Sequence, residues 1–311
     1  MLETLRNVMR ETVHSHSLRH TLRMGLYGGL RPVHAVTRGH DGVDLFEREW
    51  DNLVVLDACR ADLFEETLAT GAFDDYERVT SRGSMTAEWV RRYFDGDHGD
   101  VVYVTANPHV AVEAGDSFHA LREVYADDDA VEDGTVPPGP VAEAAREAAR
   151  EYPEKRRVVH FMQPHHPFLD APELEAYSNW GIDDVFDGGV AEGIDDPFVA
   201  LEAGAIDRDR LWDAYRRNLV CVADDALDLA ASLPGRTVIT SDHGNLVGER
   251  LDPLPVRGYG HPPGVRHPAL TEVPWAVVAD DRIDVSEGAV RSRAETDGET
   301  RQERLEALGY A

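Results

Sequence analysis

Five short apolar runs, at residues 52–56, 101–105, 157–162, 237–240 and 273–278, are rich in Val or Ile and are bounded by turn or helix signals. Runs of that length predict strands buried on both faces of a sheet. Helix-period patterns lie between them. Residues 86–94 predict one helix, and residues 141–152 predict another, where a Pro-Pro-Gly-Pro stop precedes a stretch dense in Ala, Glu and Arg. The clearest helix sets Tyr215, Leu219, Val222, Ala226, Leu229 and Leu233 on one stripe and stops at Pro234-Gly235. Strands alternating with helices predict an α/β fold, a three-layer sandwich with a mostly parallel central sheet and helices on both faces.

Three segments depart from this pattern. Residues 170–209 are rich in Gly, Asp and Pro with little periodicity, which predicts a long excursion shaping a substrate pocket. Residues 280–300 are polar and charged, ahead of a final short helix. At the other end, Arg6, Arg10, Arg19, Arg23, Arg31 and Arg38 face only Glu3 and Glu11 over the first 39 residues, and Leu2, Leu5, Val8, Met9, Leu18, Leu22 and Leu26 recur beside them at helix-like spacing. The chain thus divides into a basic amphipathic arm, 1–45, and one catalytic domain, 46–311. Two readings of the arm stand: a helix packed on the acidic body, or an interfacial helix making peripheral contact with anionic lipid.

Composition sharpens this. A chain of 311 residues with 42% hydrophobic content has material for one large core. Its net charge of −28 comes from 59 acidic against 31 basic residues, nearly all of the latter Arg. Dense carboxylates keep a surface hydrated in concentrated salt, where their repulsion is screened, so the chain reads as halophilic and of haloarchaeal origin. Such a field repels nucleic acid, which is excluded as a partner. Cys59 and Cys221 give no disulfide framework and no metal-type cluster. No apolar stretch reaches the roughly 18 residues that span a bilayer, and the start lacks a signal-peptide core. The expected location is cytoplasmic, at most peripheral at the inner face of the membrane.

In an open α/β sheet functional groups gather at the carboxyl ends of strands, so polar residues directly after apolar runs are the candidates. Asp57 follows NLVVL, His165 and His166 follow VVHFMQP, and Asp242-His243-Gly244 follows TVITS. Asp57 also fits a helix N-cap, and a His beside prolines fits packing. Asp242-His243 is harder to explain structurally, since an ionised carboxylate at a strand end is costly unless paired or metal-bound. One hard oxygen and one borderline nitrogen suit Mn²⁺ or Zn²⁺ better than Ca²⁺.

TVITSDHG resembles the metal-binding string of the sulfatase and alkaline-phosphatase superfamily. VVLDACRAD looks like its opening strand, and HFMQPHHPF is similar to its H-x-M-x-P-H-x-P-[FY] segment. The later EVPWAVV run and the closing RLEALGY fit the same order, so the resemblance covers roughly residues 50–280 plus the C-terminus. It implies an alkaline-phosphatase-like fold. It also implies one divalent metal (Mn, Zn, Mg or Ca, with Mn or Zn favoured) held by Asp57, Asp242, His243 and the nucleophile. His165 would contact the ester oxygen or protonate the leaving group, and His261 in RGYGHPPG matches a further active-site position, with His267 the competing choice. His160 and His166 are substrate-contact candidates, and Arg60 matches the Arg that follows strand one.

Two departures matter. Many sulfatases carry a second Asp where this chain has Ala58, and the Cys-x-Pro-Ser-Arg signature of formylglycine enzymes is absent. The nucleophile is therefore sought in RVTSRGSMTAEWVRRYF, where Thr86 is the best match, then Ser84 and Ser81; Thr86 equally fits a helix N-cap. Arg82 or Arg91 would bind the anionic substrate. The set Asp57, Thr86, Asp242 and His243 is similar to that of the phosphoglycerol-transferase branch. The first functional reading is metal-dependent hydrolysis of a sulfate or phosphate ester through Thr86. The alternatives are transfer of a phospho-alcohol group onto a glycan or lipid, and a degenerate protein that only binds a sulfated or phosphorylated glycan. The substrate or partner is thus a sulfated or phosphorylated small molecule, glycan or lipid.

Overall fold

The apolar run NLVVL forms β1 (Asn52–Leu56), and all five of its side chains are buried. Leu53 and Val55 enter one hydrophobic layer while Val54 and Leu56 enter another, as the two-residue repeat of a strand requires. That double burial, about 1.5–3 kcal/mol for each large aliphatic side chain, keeps β1 at the centre of the molecule. The computed structural model describes residues 22–39, 41–177, 196–254, 256–279 and 281–290.

Around β1 run β2 (Asp75–Thr80), β3 (His98–Thr105), β4 (Phe118–Glu123), β5 (Arg156–Phe161) and β6 (Thr237–Thr240), with the hairpin β7 (Leu246–Leu251) and β8 (Val256–Gly260) and then β9 (Glu272–Ala279). Seven of these form one sheet in the order β2-β9-β6-β1-β5-β3-β4. β1 is parallel to both β5 and β6, and β3 is parallel to β4 and β5. Only β9 runs against its neighbours, β2 and β6. All five predicted strands are present. β2, β4 and the separate β7-β8 hairpin are additions.

Helix α1 covers residues 22–37. It is followed by α2 (Ala61–Thr67), α3 (Thr86–Tyr93), α4 (His109–Ala114), α5 (Pro138–Glu151), α6 (Pro197–Ala203), α7 (Arg208–Ser232) and the short α8 (Pro268–Thr271). Side chains of α2, α5 and α7 fill the layer that contains Val54, Leu56 and Ile239. On the opposite face, α3 and α4 pack Trp89, Val90, Tyr93 and Val110 on Leu53, Val55, Tyr103 and Val238. The fold is thus the expected α/β sandwich with a mostly parallel sheet covered on both faces.

Part of the 170–209 excursion is ordered into α6, which Asp196 caps by accepting the Phe198 and Val199 N–H groups, and into the first residues of α7. Residues 178–195 of the excursion lie outside the described residues. So do 1–21 of the arm and the final short helix with its RLEALGY ending. The described part of the arm, α1, packs Tyr27 and Leu30 on Leu246, Leu251, Val265 and Leu270. Among the described residues no helix is long and apolar enough to cross a membrane.

Candidate metal centre and active site

The sheet register builds the site. Thr105, His160, Val55 and Thr240 lie side by side across β3, β5, β1 and β6. Two residues further along three of these parallel chains stand Asn107, Asp57 and Asp242, which the pleat turns to the same face. That is the face covered by α3, whose first residue is Thr86. Four adjacent strands and one helix N-terminus therefore deliver the polar groups to one place.

Thr86 Oγ1 lies 2.8 Å from Asp242 Oδ2, 3.4 Å from Asp57 Oδ2 and 3.3 Å from His243 Nε2. The N-cap of α3 is Met85, so Thr86 occupies the first helical position and its hydroxyl turns to the carboxylates. Near the helix N-terminus the partial positive charge favours an anionic oxygen. His243 Nδ1 sits 2.9 Å from the Gly244 carbonyl oxygen, which places a proton on Nδ1 and leaves Nε2 as a lone pair. That Nε2 lies 3.4 Å from Asp242 Oδ2 and 3.8 Å from Asp57 Oδ1. Gly244 has its own reason: a Cβ there would fall 2.3 Å from the Ala269 carbonyl oxygen and 2.7 Å from Arg60 Cγ.

His160, expected to touch substrate, is a member of the carboxylate cluster. Its Nε2 lies 3.5 Å from Asp57 and 3.8 Å from Asp242, and its Nδ1 is 2.9 Å from the Tyr103 hydroxyl. Ligand atoms of Asp57, His160 and Asp242 all fall within 4.8 Å of one another, and all three residues are buried. His160 Nε2 and Asp57 Oδ1 are buried with no hydrogen-bond partner. Two buried carboxylates beside orphaned polar atoms, with no Lys or Arg side chain paired to either among the described residues, are what a divalent cation requires, so the residues fit the metal that the sequence implies. Burial by itself would push the Asp57 carboxyl up. The surrounding imidazoles of His160, His165 and His243 outweigh it and hold the group far below the usual carboxylate range.

Asn107 was not among the sequence candidates. Its Nδ2 donates to Asp57 Oδ2 at 2.5 Å and lies 3.3 Å from Thr86 Oγ1, while Oδ1 accepts the His109 N–H. It follows the apolar run VVYVT, so the strand-end rule that found Asp57 and Asp242 applies to it equally.

A row of histidine rings leads away from the cluster. His261 stands 4.8 Å from His243 and 5.1 Å from His165, ring centre to ring centre, and His165 stacks on His166 at 4.4 Å. His261 Nδ1 is 2.8 Å from Asn245 Oδ1 and His165 Nδ1 is 2.5 Å from the His166 carbonyl oxygen, so both rings present a free Nε2. Burial, reinforced by the neighbouring His166, brings His165 down to about 4. Burial and the adjacent His243 and His165 hold His261 well below its ordinary value. His166 Nε2 faces Asp196 at 3.5 Å.

The other candidates are placed elsewhere. Arg60 is bound to Asp62 at 2.6 Å, Glu249 at 2.7 Å and the Asn245 carbonyl at 2.9 Å, and it lies over the Trp212 ring. Arg82 pairs with Asp44, and Arg91 with Glu113. His267 caps α8 by accepting the Ala269 N–H. Ser84 is held by Glu88, the Pro262 carbonyl and the Gly264 N–H, and Ser81 donates to the Asp242 carbonyl, so neither hydroxyl faces the carboxylates as Thr86 does. Ala58, where a second Asp is common in sulfatases, adopts a left-handed backbone with φ of 58° and donates its N–H to Asp242 Oδ1 at 2.9 Å.

No family model matches this chain, and neither does any curated protein. Similar solved structures exist. The soluble domain of lipooligosaccharide phosphoethanolamine transferase A from Neisseria meningitidis is 15% identical, with 73% of this chain and 75% of that one covered at a TM-score of 0.45. The C-terminal periplasmic domain of phosphoethanolamine transferase EptC from Campylobacter jejuni is 14% identical, covering 76% and 84% at a TM-score of 0.44. A zinc complex of the corresponding domain of Escherichia coli EptC is 13% identical, covering 76% of each chain at 0.40. These are likenesses to bacterial proteins, and the expected haloarchaeal origin finds no support in them.

Proposed function

We propose that the chain is a metal-dependent enzyme that moves a phosphate-ester group through a covalent bond to Thr86 and on to a hydroxyl of a glycan or lipid. The observation that carries this is the position of the Thr86 hydroxyl, first in α3 and 2.8 Å from Asp242, inside a buried cluster of two carboxylates and two imidazoles. Asp57, Asp242, His243 and His160 would hold one divalent ion, Mn²⁺ or Zn²⁺. When bound, it supplies Lewis acidity that favours the alkoxide of Thr86 and neutralises the transferring oxygens. The chain's own groups do the rest. Asp242 Oδ2 accepts the Thr86 proton, α3 directs its N-terminal dipole at the attacking oxygen, and Asn107 fixes Asp57. As Thr86 attacks, the donor's leaving alkoxide takes a proton from Nε2 of His261 or His165, and in the second step that Nε2, then free, takes the proton of the incoming hydroxyl while Asp242 returns its proton to Thr86.

Transfer to an alcohol replaces hydrolysis as the main reading because the cluster is closed off: Asp57, Asp242 and His243 are fully buried and Thr86 is 5% exposed. That burial shields the carboxylates from bulk water, while His165 and His261 are part-exposed and leave the histidine row open to an incoming hydroxyl. It is also the class of reaction named for the similar bacterial structures.

Purified protein, with Mn²⁺ or Zn²⁺, would be given a chromogenic phosphodiester with and without an added alcohol, and products and protein mass followed. The expected result is an adduct on the Thr86 peptide, alcohol-dependent product, and Thr86→Ala protein that keeps its metal while losing turnover at least a thousandfold. Thr86→Ala with near-wild-type turnover refutes the assignment. Adduct formation whose only product is the hydrolysed phosphate returns the reading to a hydrolase, and metal and ligand binding with no turnover makes it a binding protein.

A further inference from the structure

Asn218 stands where an apolar side chain is expected. It lies on the buried face of α7 among Ala214, Tyr215, Leu219 and Val222, and it is wholly buried itself. An amide there is costly unless its polar atoms are bonded, and Asn is a poor helix former beside Leu or Ala. All its bonds go to one segment. Residues 162–170, which follow β5, form neither helix nor strand, and they carry His165 and His166. Asn218 Nδ2 donates to the carbonyl oxygens of Pro164 and His165 at 3.1 and 2.8 Å, with that of Pro167 at 3.4 Å, and Oδ1 accepts the Leu169 N–H at 3.0 Å. Carbonyl acceptors on one side and an N–H donor on the other fix which way the amide lies.

Of the four successive carbonyls from Pro164 to Pro167, only that of His166 is not turned to Asn218. It accepts the Nδ1 proton of His165 at 2.5 Å. The backbone of His165 is tied on both sides, its N–H to the Asp57 carbonyl at 3.1 Å and its own carbonyl to Asn218. We infer that Asn218 is a positioning residue of the active site: by taking three carbonyls of the loop it leaves the fourth to hold His165 with the proton on Nδ1, and so reserves Nε2 for the chemistry. A side chain bonded only to the loop therefore sets which nitrogen of His165 is available to substrate. The amide is specific to the task. Asp would bring a buried charge and no donor, Leu would leave the carbonyls unpaired, and Ser is one donor short. Without the amide the loop carbonyls must find other donors, and a reacting group displaced by about 1 Å costs roughly a hundredfold in rate.

The inference rests on the reading of His165 as a proton-transfer group in the Thr86 reaction, so one arm of its test is independent of turnover. Zn²⁺-loaded protein labelled with nitrogen-15 histidine would be compared by NMR at pH 8 as wild type, Asn218→Ser and Asn218→Leu, with His165→Ala identifying the His165 signals. The wild-type ring should show a protonated Nδ1. In both variants that signal should shift toward the Nε2-protonated form, with circular dichroism and bound zinc unchanged. With a phosphodiester whose leaving group is a simple alkanol, and so needs a proton, kcat should fall about thirtyfold with KM within about threefold. Added to His165→Ala, Asn218→Ser should cost less than about twofold more. An unchanged His165 spectrum overturns the inference, as does an equal loss of kcat in the wild-type and His165→Ala backgrounds, or loss of the fold in both variants. A shifted spectrum in protein that forms no adduct on Thr86 places the failure in the Thr86 reading and keeps Asn218 as the residue that orients His165.

Discussion

Replacing Asp242 by Asn removes one of the two carboxylates of the cluster and keeps its shape. Asp242 Oδ1 accepts the backbone N–H groups of Ala58 and His243 at 2.9 Å each, bonds that an amide oxygen retains, so the change falls on Oδ2, beside Thr86 and His243. Oxygens of Asp57 and Asp242 lie within 4.8 Å. At an effective dielectric of about 20, two unit charges at that separation repel by roughly 3.5 kcal/mol. His160 and His243 offset part of this. In metal-free protein Asp242→Asn should therefore be more stable than wild type by about 1–3 kcal/mol, a rise of several degrees in Tm. Metal reverses the order. An ion at a thousand times its Kd stabilises wild type by about 4 kcal/mol and the variant by far less. Calorimetry of both proteins in chelator, and then through a Mn²⁺ or Zn²⁺ titration, measures each half. The reasoning is refuted if wild type is the more stable in chelator and both proteins respond equally to metal.

Arg60→Ala should cost about 3 kcal/mol, because Glu249 and the Asn245 carbonyl lose a buried cation, while turnover per folded molecule stays within a few-fold; lost turnover at unchanged stability would return Arg60 to the chemistry. His98 lies between Phe46 and Phe94, at 4.9 and 5.4 Å, with Nε2 buried and unpartnered, and burial lowers its pKa. A depressed His pKa means the folded state prefers the neutral ring, so this contribution is complete above the ordinary value of about 6.5 and is lost as pH falls below it. Urea titrations at pH 7.5 and 5 should show a smaller acid loss for His98→Gln than for wild type, and an equal loss would count against it.

The central strands were legible because burial on both faces demands unbroken apolar runs, and β1 and β6 begin and end where their runs do. The strands that were missed sit at the margins. β2, DYERVT, buries only Val79, and β4 lies at the far edge with only Phe118 fully buried, so neither carries the apolar run that marks a buried strand. The reversed direction of β9 has no local signature, since EVPWAVVA packs equally well either way. In the site, Asp57, Asp242 and His243 were found because charge after an apolar run is costly unless it has a partner. Asn107 also follows an apolar run, but it carries no charge and sits in Asn-Pro, which reads as a turn. His160 was visible but ambiguous, being inside its strand, and only the register that sets it level with Val55 shows which groups it faces. Arg60 illustrates the converse: its place after Asp57 suggested chemistry, and Glu249, distant in sequence, takes its charge.

The strand order divides the molecule's labour. Asn107, His160, Asp57 and Asp242 ride on β3, β5, β1 and β6, four neighbours whose spacing of about 4.8 Å is fixed by backbone hydrogen bonds and is indifferent to side-chain identity. His261 and the approach to it belong to the β7-β8 hairpin and the turn after it, outside that sheet. Such a scaffold can exchange its hairpin while the distances among its acidic and imidazole groups stay as they are. For engineering, the hairpin is the part to graft and the four-strand edge the part to leave alone.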